Sequence, residues 1–344
     1  MTEPEFVPDA PPPACWPPEL PPLEERDEGA CVRYQTRFDA GYRHGAWSMG
    51  EVARRSGAPL ALLARTRDPA PLDWPRALFL DLEVGTHPRG GPCLYLAGSA
   101  RFVDGELLLT QRLARDAEGE QALLEALAQE LAECAELVTV SGKSVDAPTL
   151  QARAAAWALP LRLPPRHFDL YRMAGKFLRK RFRDQKLVTL ERELLRFDRG
   201  VDLAGGALPC PWHELLEPGA DAIRCAALRH NLLDVLALPS LAAELAFRVE
   251  SPQEPEEREQ LADLHVEAGK DRASLERALE IDPDSFRARL ELSKVVEREE
   301  GDLEAALRHA ELALEVAPDH LADAAKRRIA QLKRRLARSG WQEE

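Results

Sequence analysis

No stretch of this 344-residue sequence approaches the length of apolar run needed to cross a bilayer. The opening MTEPEFVPDAPPPACWPPELPP also lacks the basic leader and apolar core of a secretory signal, so the expected location is cytoplasmic, with no membrane partner. The six cysteines, at 15, 31, 93, 134, 210 and 225, show no C-x-x-C or C-x-x-H spacing. That argues against structural zinc and a thioredoxin-type pair and leads to an expectation of reduced thiols. Positive charge is also in short supply. The 46 Lys and Arg against 59 Asp and Glu leave a formal net charge of -13, which disfavours general adhesion to nucleic acid but permits a local basic patch. What is present, 45% apolar and 31% charged residues, suits a soluble chain with a core, long enough for two domains or for one with an appendage.

The organisation follows from composition and periodicity. Residues 1–27 are Pro/Glu-rich and read as a disordered arm, and 28–74 read as a lead-in subdomain with a strand at CVRYQTRFDA and a helix over Met49 to Arg65. The main domain is expected at 75–248. It starts with three strands, ALFLDLEVGT (77–86), CLYLAGSARFV (93–103) and GELLLTQRLA (105–114), the last two joined by the Asp104-Gly105 turn signal. A helix over Gly119 to Cys134, a short strand LVTV (137–140) and a helix from Asp146 to Trp157 follow. Helical stretches are expected at His167 to Phe182, at 187–195 and at Cys225 to Leu245, the last broken or kinked at Pro239. Between the second and third, residues 198–221, with Gly205, Gly206, Pro209, Pro211 and Pro218, read as a loop forming a substrate wall. A charged linker at 249–260 precedes a helical segment at 261–340. There, two similar glycine-to-proline phrases ending at Pro283 and Pro318, 35 positions apart, resemble tetratricopeptide repeats. The basic end AAKRRIAQLKRRLARSG reads as a capping helix, with a solvated face or contact with nucleic acid or an acidic partner as its alternatives.

The chemistry begins at Asp81 and Glu83, two acids that leave one apolar strand on the same side of the pleat. Adjacent carboxylates in low dielectric are tolerated when exposed, protonated or bridged by a cation, and a hard divalent ion accepts such oxygen ligands. Taken alone, the pair is an ordinary solvated strand end. Asp146 follows a strand and a glycine-containing turn at a helix start, where an N-cap role is the simpler reading. His230 and Asp234 lie four apart on a helix whose other residues, Leu228, Leu238 and Leu241, point the face inward.

Asp81 and Glu83 in DLE, Asp146 in SGKSVD and Asp234 in HNLLD resemble, in order, the four acidic positions of the DEDD exonucleases, and most closely their YprB-like branch, over roughly residues 75–245. The resemblance implies an α/β ribonuclease H-like mixed sheet flanked by helices, here followed by the all-α segment. It further implies a 3'-5' exonuclease acting on DNA or RNA with two ions, Mg²⁺ or Mn²⁺, held by Asp81, Glu83, Asp146 and Asp234. His230 stands at the spacing of the family's tyrosine type, and orients or deprotonates the attacking water or supports a residue that does. Two departures accompany the match. Val84-Gly85-Thr86 places glycine one position early, which implies an altered turn, and Ser141 and Val145 replace the usual Asn and Phe. Lys143 is a candidate phosphate contact, as are Lys176, Arg179, Lys180, Arg183 and Lys186, with a solvated basic face as the alternative. Asp169 reads as a helix cap. The competing function is a catalytically weak nucleic-acid-binding protein, or an adaptor docking a protein partner through its helical repeats.

Overall fold

The computed structural model describes residues 16–64, 70–86, 91–182, 184–200, 202–203, 214–215 and 217–339. It divides into two compact units, one covering residues 1–175 with 184–246, the other 176–183 with 247–344.

In the first unit, strand formation starts earlier than the sequence suggests. Residues 1–15 lie outside the described residues, but Trp16 and Leu23 are buried, and Glu24–Asp27 form β1, antiparallel to β2 (Cys31–Phe38). The arm expected over 1–27 is therefore structured at its end. A small hairpin, β3 (Arg43–His44) and β4 (Trp47–Ser48), leads into α1 (Met49–Arg54), which opens on a capping box between Ser48 and Glu51. Helix α2 (Ala58–Ala64) follows. The meander then appears as expected: β5 (Ala77–Thr86), β6 (Pro92–Val103) and β7 (Glu106–Ala114) are consecutive antiparallel strands. Asp104 and Gly105 turn at φ of 51° and 87°, the left-handed pair that suits a two-residue hairpin.

Strand β2 pairs with β7 along its whole length, so the lead-in segment is not a separate subdomain but supplies the edge of the main sheet. That pairing joins residues 69 to 83 positions apart, from Phe38 with Leu107 to Cys31 with Ala114, beyond the reach of local pattern. Helix α3 (Ala117–Glu133) crosses to β8 (Glu136–Thr139), which lies parallel to β5, and α4 (Asp146–Ala156) crosses to β9 (Arg166–Asp169), parallel to β8. Residues 166–169 are thus strand rather than the expected helix, because β8 offers them a free edge. The sheet order is β1-β2-β7-β6-β5-β8-β9. Helix α5 (Leu170–Phe177), α6 (Leu187–Leu190) with a π-helical turn at Glu191–Leu195, and α7 (Asp221–Glu250) complete the unit's elements. Pro239 is inside α7, which continues past it instead of breaking. Gly205, Gly206, Pro209 and Pro211 of the expected substrate wall lie outside the described residues. Cys31, Cys93 and Cys134 are free, whereas Cys225 is disulfide-bonded, contrary to the expectation of reduced thiols throughout.

The second unit contains α8 (Pro255–Ala268), α9 (Arg272–Ile281), α10 (Phe286–Glu299), α11 (Leu303–Glu315) and α12 (Ala322–Ser339). Since α7 ends at Glu250 and α8 starts at Pro255, the linker is shorter than the expected 249–260. Asp271, Ser285 and Asp302 cap α9, α10 and α11 with side-chain hydrogen bonds to the third residue on, satisfying amides that the helix leaves open. Fully buried Ala262, Ala278, Ala288, Ala306 and Ala310 join Val266 and Leu292 in one core, the small side chains allowing close helix contact. Among the described residues, no helix is long and apolar enough to cross a membrane.

Candidate active site

Strand β5 carries Asp81 and Glu83 in its middle, past its apolar first half. Its apolar first half, Ala77 to Leu80, is fully covered, and exposure begins with the acids. No turn forms at Val84-Gly85-Thr86, where an altered one was expected: β5 runs on to Thr86, pairing Gly85 with Cys93, and the irregularity is a bulge between Glu83 and Val84. A bulge there re-aims the strand just after Glu83, a device common beside active sites.

Helix α7 faces these acids. Asn231, fully buried, donates through Nδ2 to Asp81 Oδ2 at 2.9 Å and accepts at Oδ1 from Gln111 Nε2 at 2.9 Å. Gln111 also donates to Leu228 O at 2.8 Å, so β7, α7 and Asp81 are tied by one polar chain. The helix can approach this closely because Gly98, opposite Asp81 on β6, has no side chain. A Cβ there would stand 2.3 Å from Asn231 Oδ1 and 2.7 Å from Val235 Cγ2.

One turn on, His230 and Asp234 join Glu83. Their ligand atoms lie within 4.8 Å of one another, as a metal-binding group requires. His230 Nδ1 bonds Asp202 Oδ2 at 3.0 Å, while Nε2 faces Asp234 Oδ2 at 3.6 Å and Glu83 Oε1 at 4.0 Å. Asp234 Oδ1 meets Arg199 Nη1 at 2.5 Å.

The remaining acid comes from the turn after β8. Asp146 is buried and is the first residue of α4, so the N-cap expectation is not met; Val145 occupies that position. Asp169, at the end of β9, holds the turn in place. Its carboxylate accepts from the amides of Ser141 at 3.2 Å and Lys143 at 3.1 Å, and from Arg172 N at 3.2 Å at the start of α5. It therefore caps α5, as expected, and also shapes the loop that presents Asp146. Behind α4, buried Glu120 accepts from Leu94 N at 2.8 Å, Arg153 Nε at 2.7 Å and Trp157 Nε1 at 2.9 Å, fixing α4 against α3 and β6.

The electrostatics follow from crowding. Burial, then the charges of Asp234, Glu83 and Asp146, push Asp81 well above the usual carboxylate range, although Asn231 opposes this. Burial, with Asp234 and Asp202 adding repulsion against the pull of His230, raises Glu83 to about 7, and burial with Asp169 and Glu83 raises Asp146 to about 7. Asp234 is raised by burial despite Arg199 and His230. Asp202 departs the other way: against burial, the His230 hydrogen bond and charge, with Arg199, bring it to about 2. His230 is raised, its desolvation outweighed by Asp202, Asp234 and Glu83. Four carboxyls drawn from β5, α4 and α7 thus sense one another and lack enough cationic partners to ionise together. Hard oxygen donors with raised proton affinity fit a divalent cation, which would replace the shared protons.

The predicted basic residues are divided between the two units. Lys143 sits on the turn before Asp146, with burial lowering its pKa against the pull of Asp169. Lys186 is exposed at the N-cap of α6. Lys176, Arg179 and Lys180 belong to the second unit, where Lys180 Nζ pairs with Glu259 at 2.5 Å and Arg179 Nε with Gln260 Oε1 at 3.2 Å. Arg183 lies outside the described residues. Sequence reasoning missed Asn231, Gln111, Gly98, Asp202, Arg199 and Glu120. Only Asn231 carried a signal, since it stands within the H-N-x-x-D phrase.

A family described as the RNase H superfamily matches residues 78–246, the stretch from β5 through the first-unit part of α7. Over 286 residues the chain is 27% identical to a Bacillus subtilis (strain 168) protein named Uncharacterized protein YprB, covering 78% of this chain and 68% of that relative. The mixed sheet, its flanking helices and this match together show that the chain carries an RNase H superfamily domain at residues 78–246.

Proposed function

We propose that the chain is a divalent-metal-dependent nuclease that removes nucleotides from the 3' end of DNA or RNA. The observation that supports this reading is the group Glu83, His230 and Asp234, whose ligand atoms lie within 4.8 Å of one another, with Asp81 and Asp146 near enough for the neighbouring acids to raise their proton affinity. The polarity rests on the resemblance of that quartet to the 3'-5' exonucleases.

Asp81, Glu83 and Asp234, with Asp146 completing the set, would hold the ion. Bound Mg²⁺ or Mn²⁺ supplies Lewis-acid polarisation of the phosphodiester and lowers the pKa of water. The residues around it orient and shield. Asn231 fixes one oxygen of Asp81, leaving the other directed by the strand. Asp202 fixes the ring of His230, so that Nε2 faces the acids and can take a proton from water entering the cluster. Lys143 contacts a substrate phosphate at the turn before Asp146, and Lys186 does so from the exposed start of α6. Without an ion, the carboxylates repel a phosphate backbone, so substrate and metal bind together.

Parallel digestion of 3'-labelled, 5'-labelled and circular DNA and RNA, with Mn²⁺ and with EDTA, tests the reading. Stepwise release of the 3' label from linear single strands, only with Mn²⁺, is expected. Cleavage of circles would reject exclusive exonucleolytic action, and equal cleavage in EDTA would reject metal dependence. The small-residue contacts among α8 to α11 support a further role for the second unit as a tetratricopeptide-like docking segment for a protein partner. Loss of a cellular complex on deleting residues 255–344 would test it.

A further inference from the structure

The turn that follows β8 is built as a fixed platform. Thr139 and Asp169, the last residues of β8 and β9, are register partners on adjacent strands. Gly142 lies directly against the Thr139 side chain, where a Cβ would stand 2.1 Å from Oγ1, and that hydroxyl is held by His167 Nε2 at 2.8 Å. Ser141 turns the chain at a φ of 61°. Asp169 commits both carboxylate oxygens to backbone, Oδ1 to the amides of Ser141 and Arg172 and Oδ2 to that of Lys143.

The side chains on this platform are cationic and short of acid. Lys143 is half-buried and, among the described residues, its ammonium makes no ion pair; burial lowers its pKa, Asp169 opposes this and Arg172 adds to it. Arg172 is exposed, its Nη2 donates to Ser144 Oγ at 2.9 Å, and its Nε stands 3.6 Å from Asp169 Oδ2. Two cations thus share one carboxylate that is already engaged with amides. The charges that raise Asp146 are those of Asp169 and Glu83, so Lys143 and Arg172 are not there to neutralise the metal-binding acids. An ammonium that has lost water without gaining a partner, beside an exposed guanidinium on a braced turn, is an arrangement that phosphate oxygens complete.

We propose that Lys143 and Arg172 form a subsite for a second phosphate of the substrate strand, the one on the 5' side of the linkage being cut. This rests on the nuclease reading above and adds Arg172 and the identity of the phosphate to it. A strand cut at its last linkage has its remaining phosphates on the 5' side, and the scissile phosphate itself belongs to the ion held by the acids.

The test compares two dinucleotides on the full chain, one with its single linkage only and the same one carrying a 5' phosphate. Each is measured by hydrolysis in Mn²⁺ and by calorimetric binding in Ca²⁺, which takes oxygen ligands of the same kind. Wild type is expected to favour the 5'-phosphorylated dinucleotide by about tenfold in kcat/KM and in affinity, the usual order for a charge-assisted contact. That preference should disappear in Arg172→Gln and in Lys143→Gln, with cooperative melting retained, and return in part in Arg172→Lys, which keeps the charge. A purely structural role would weaken both dinucleotides alike and leave their ratio intact, and that result in both folded variants would overturn the subsite. Equal use of the two dinucleotides by wild type would overturn it as well and leave the nuclease reading standing. If wild type cuts neither but binds the 5'-phosphorylated one more tightly, the nuclease reading falls and the phosphate subsite stands; if it neither cuts nor distinguishes them, both fall.

Discussion

Single side chains here do work that their neighbours in sequence do not announce. Asp202 lies in a stretch of glycines and prolines with no motif around it, yet it fixes His230 and shares Arg199 with Asp234. Asp202→Asn keeps the shape but removes the charge that aligns and raises His230. Nuclease activity is expected to fall about 10–100-fold, the usual cost of losing a partner that orients a site residue, with secondary structure by circular dichroism unchanged. The carboxyls predict a pH dependence of stability. Glu83 and Asp146 titrate near 7 when folded, above the ordinary carboxylate values they have unfolded. The folded chain thus binds more protons than the unfolded chain as pH rises from about 4 to 7, so stability falls across that window and the loss is complete above it. Divalent ions bind the ionised forms. The melting midpoint in EDTA should therefore drop between about pH 5 and pH 8, and Mn²⁺ should raise it at pH 8 far more than at pH 5, as read by differential scanning calorimetry.

At the scale of elements, the site depends on how closely α7 lies against the β5–β7 meander. Gly98 sets that distance. Gly98→Ala forces Asn231 and Val235 outward, and overpacking of this kind costs about 1–3 kcal/mol. Urea unfolding should show that loss, and the apparent affinity for Mn²⁺ should weaken with it because Asp81 loses its orienting amide. The meander, α3, β8 and α4 were all legible in sequence, since each has a clean period of two or of 3.6 and a strong turn between. The four acids of the proposed site could be picked out by their order along the chain, even where Gly85, Ser141 and Val145 depart from the family pattern. What was not legible is non-local. Strand β9 has four residues and owes its state to the edge of β8, and β1 and β2 join the sheet only through β7. Gln111 reads as an ordinary strand residue until α7 is laid over it. Arg199 reaches Asp234, and Glu120 reaches Arg153, across more than 30 positions, where spacing carries no information.

The whole molecule carries a net charge of -13, and the proposed function asks it to accept a polyanion beside an acidic cluster. Cations would reconcile the two: Arg199, which the chain itself places against Asp234, and divalent metal taken from solution. The second unit has its own core and its own ion pairs. Arg181 and Arg248 both meet Glu257 at 2.5 Å, and Lys180 meets Glu259, so that much of the basic run after α5 is already matched to carboxylates. The salt dependence of substrate binding should accordingly be shallow, reflecting few phosphate contacts, and filter binding across a series of salt concentrations gives that slope. A slope corresponding to five or more contacts would mean that the run tracks the backbone after all.

The central claim is that the four-carboxylate cluster is a metal-dependent catalytic site. Its most direct measurement is the release of a 3'-terminal label from single-stranded substrate by wild type and by Asp81→Ala, each with Mn²⁺ and each with EDTA. The account predicts release by wild type with Mn²⁺ alone and a loss of at least about 10³-fold in the variant, since the ligands supply several kcal/mol of transition-state stabilisation. Full activity of a folded Asp81→Ala protein would contradict it.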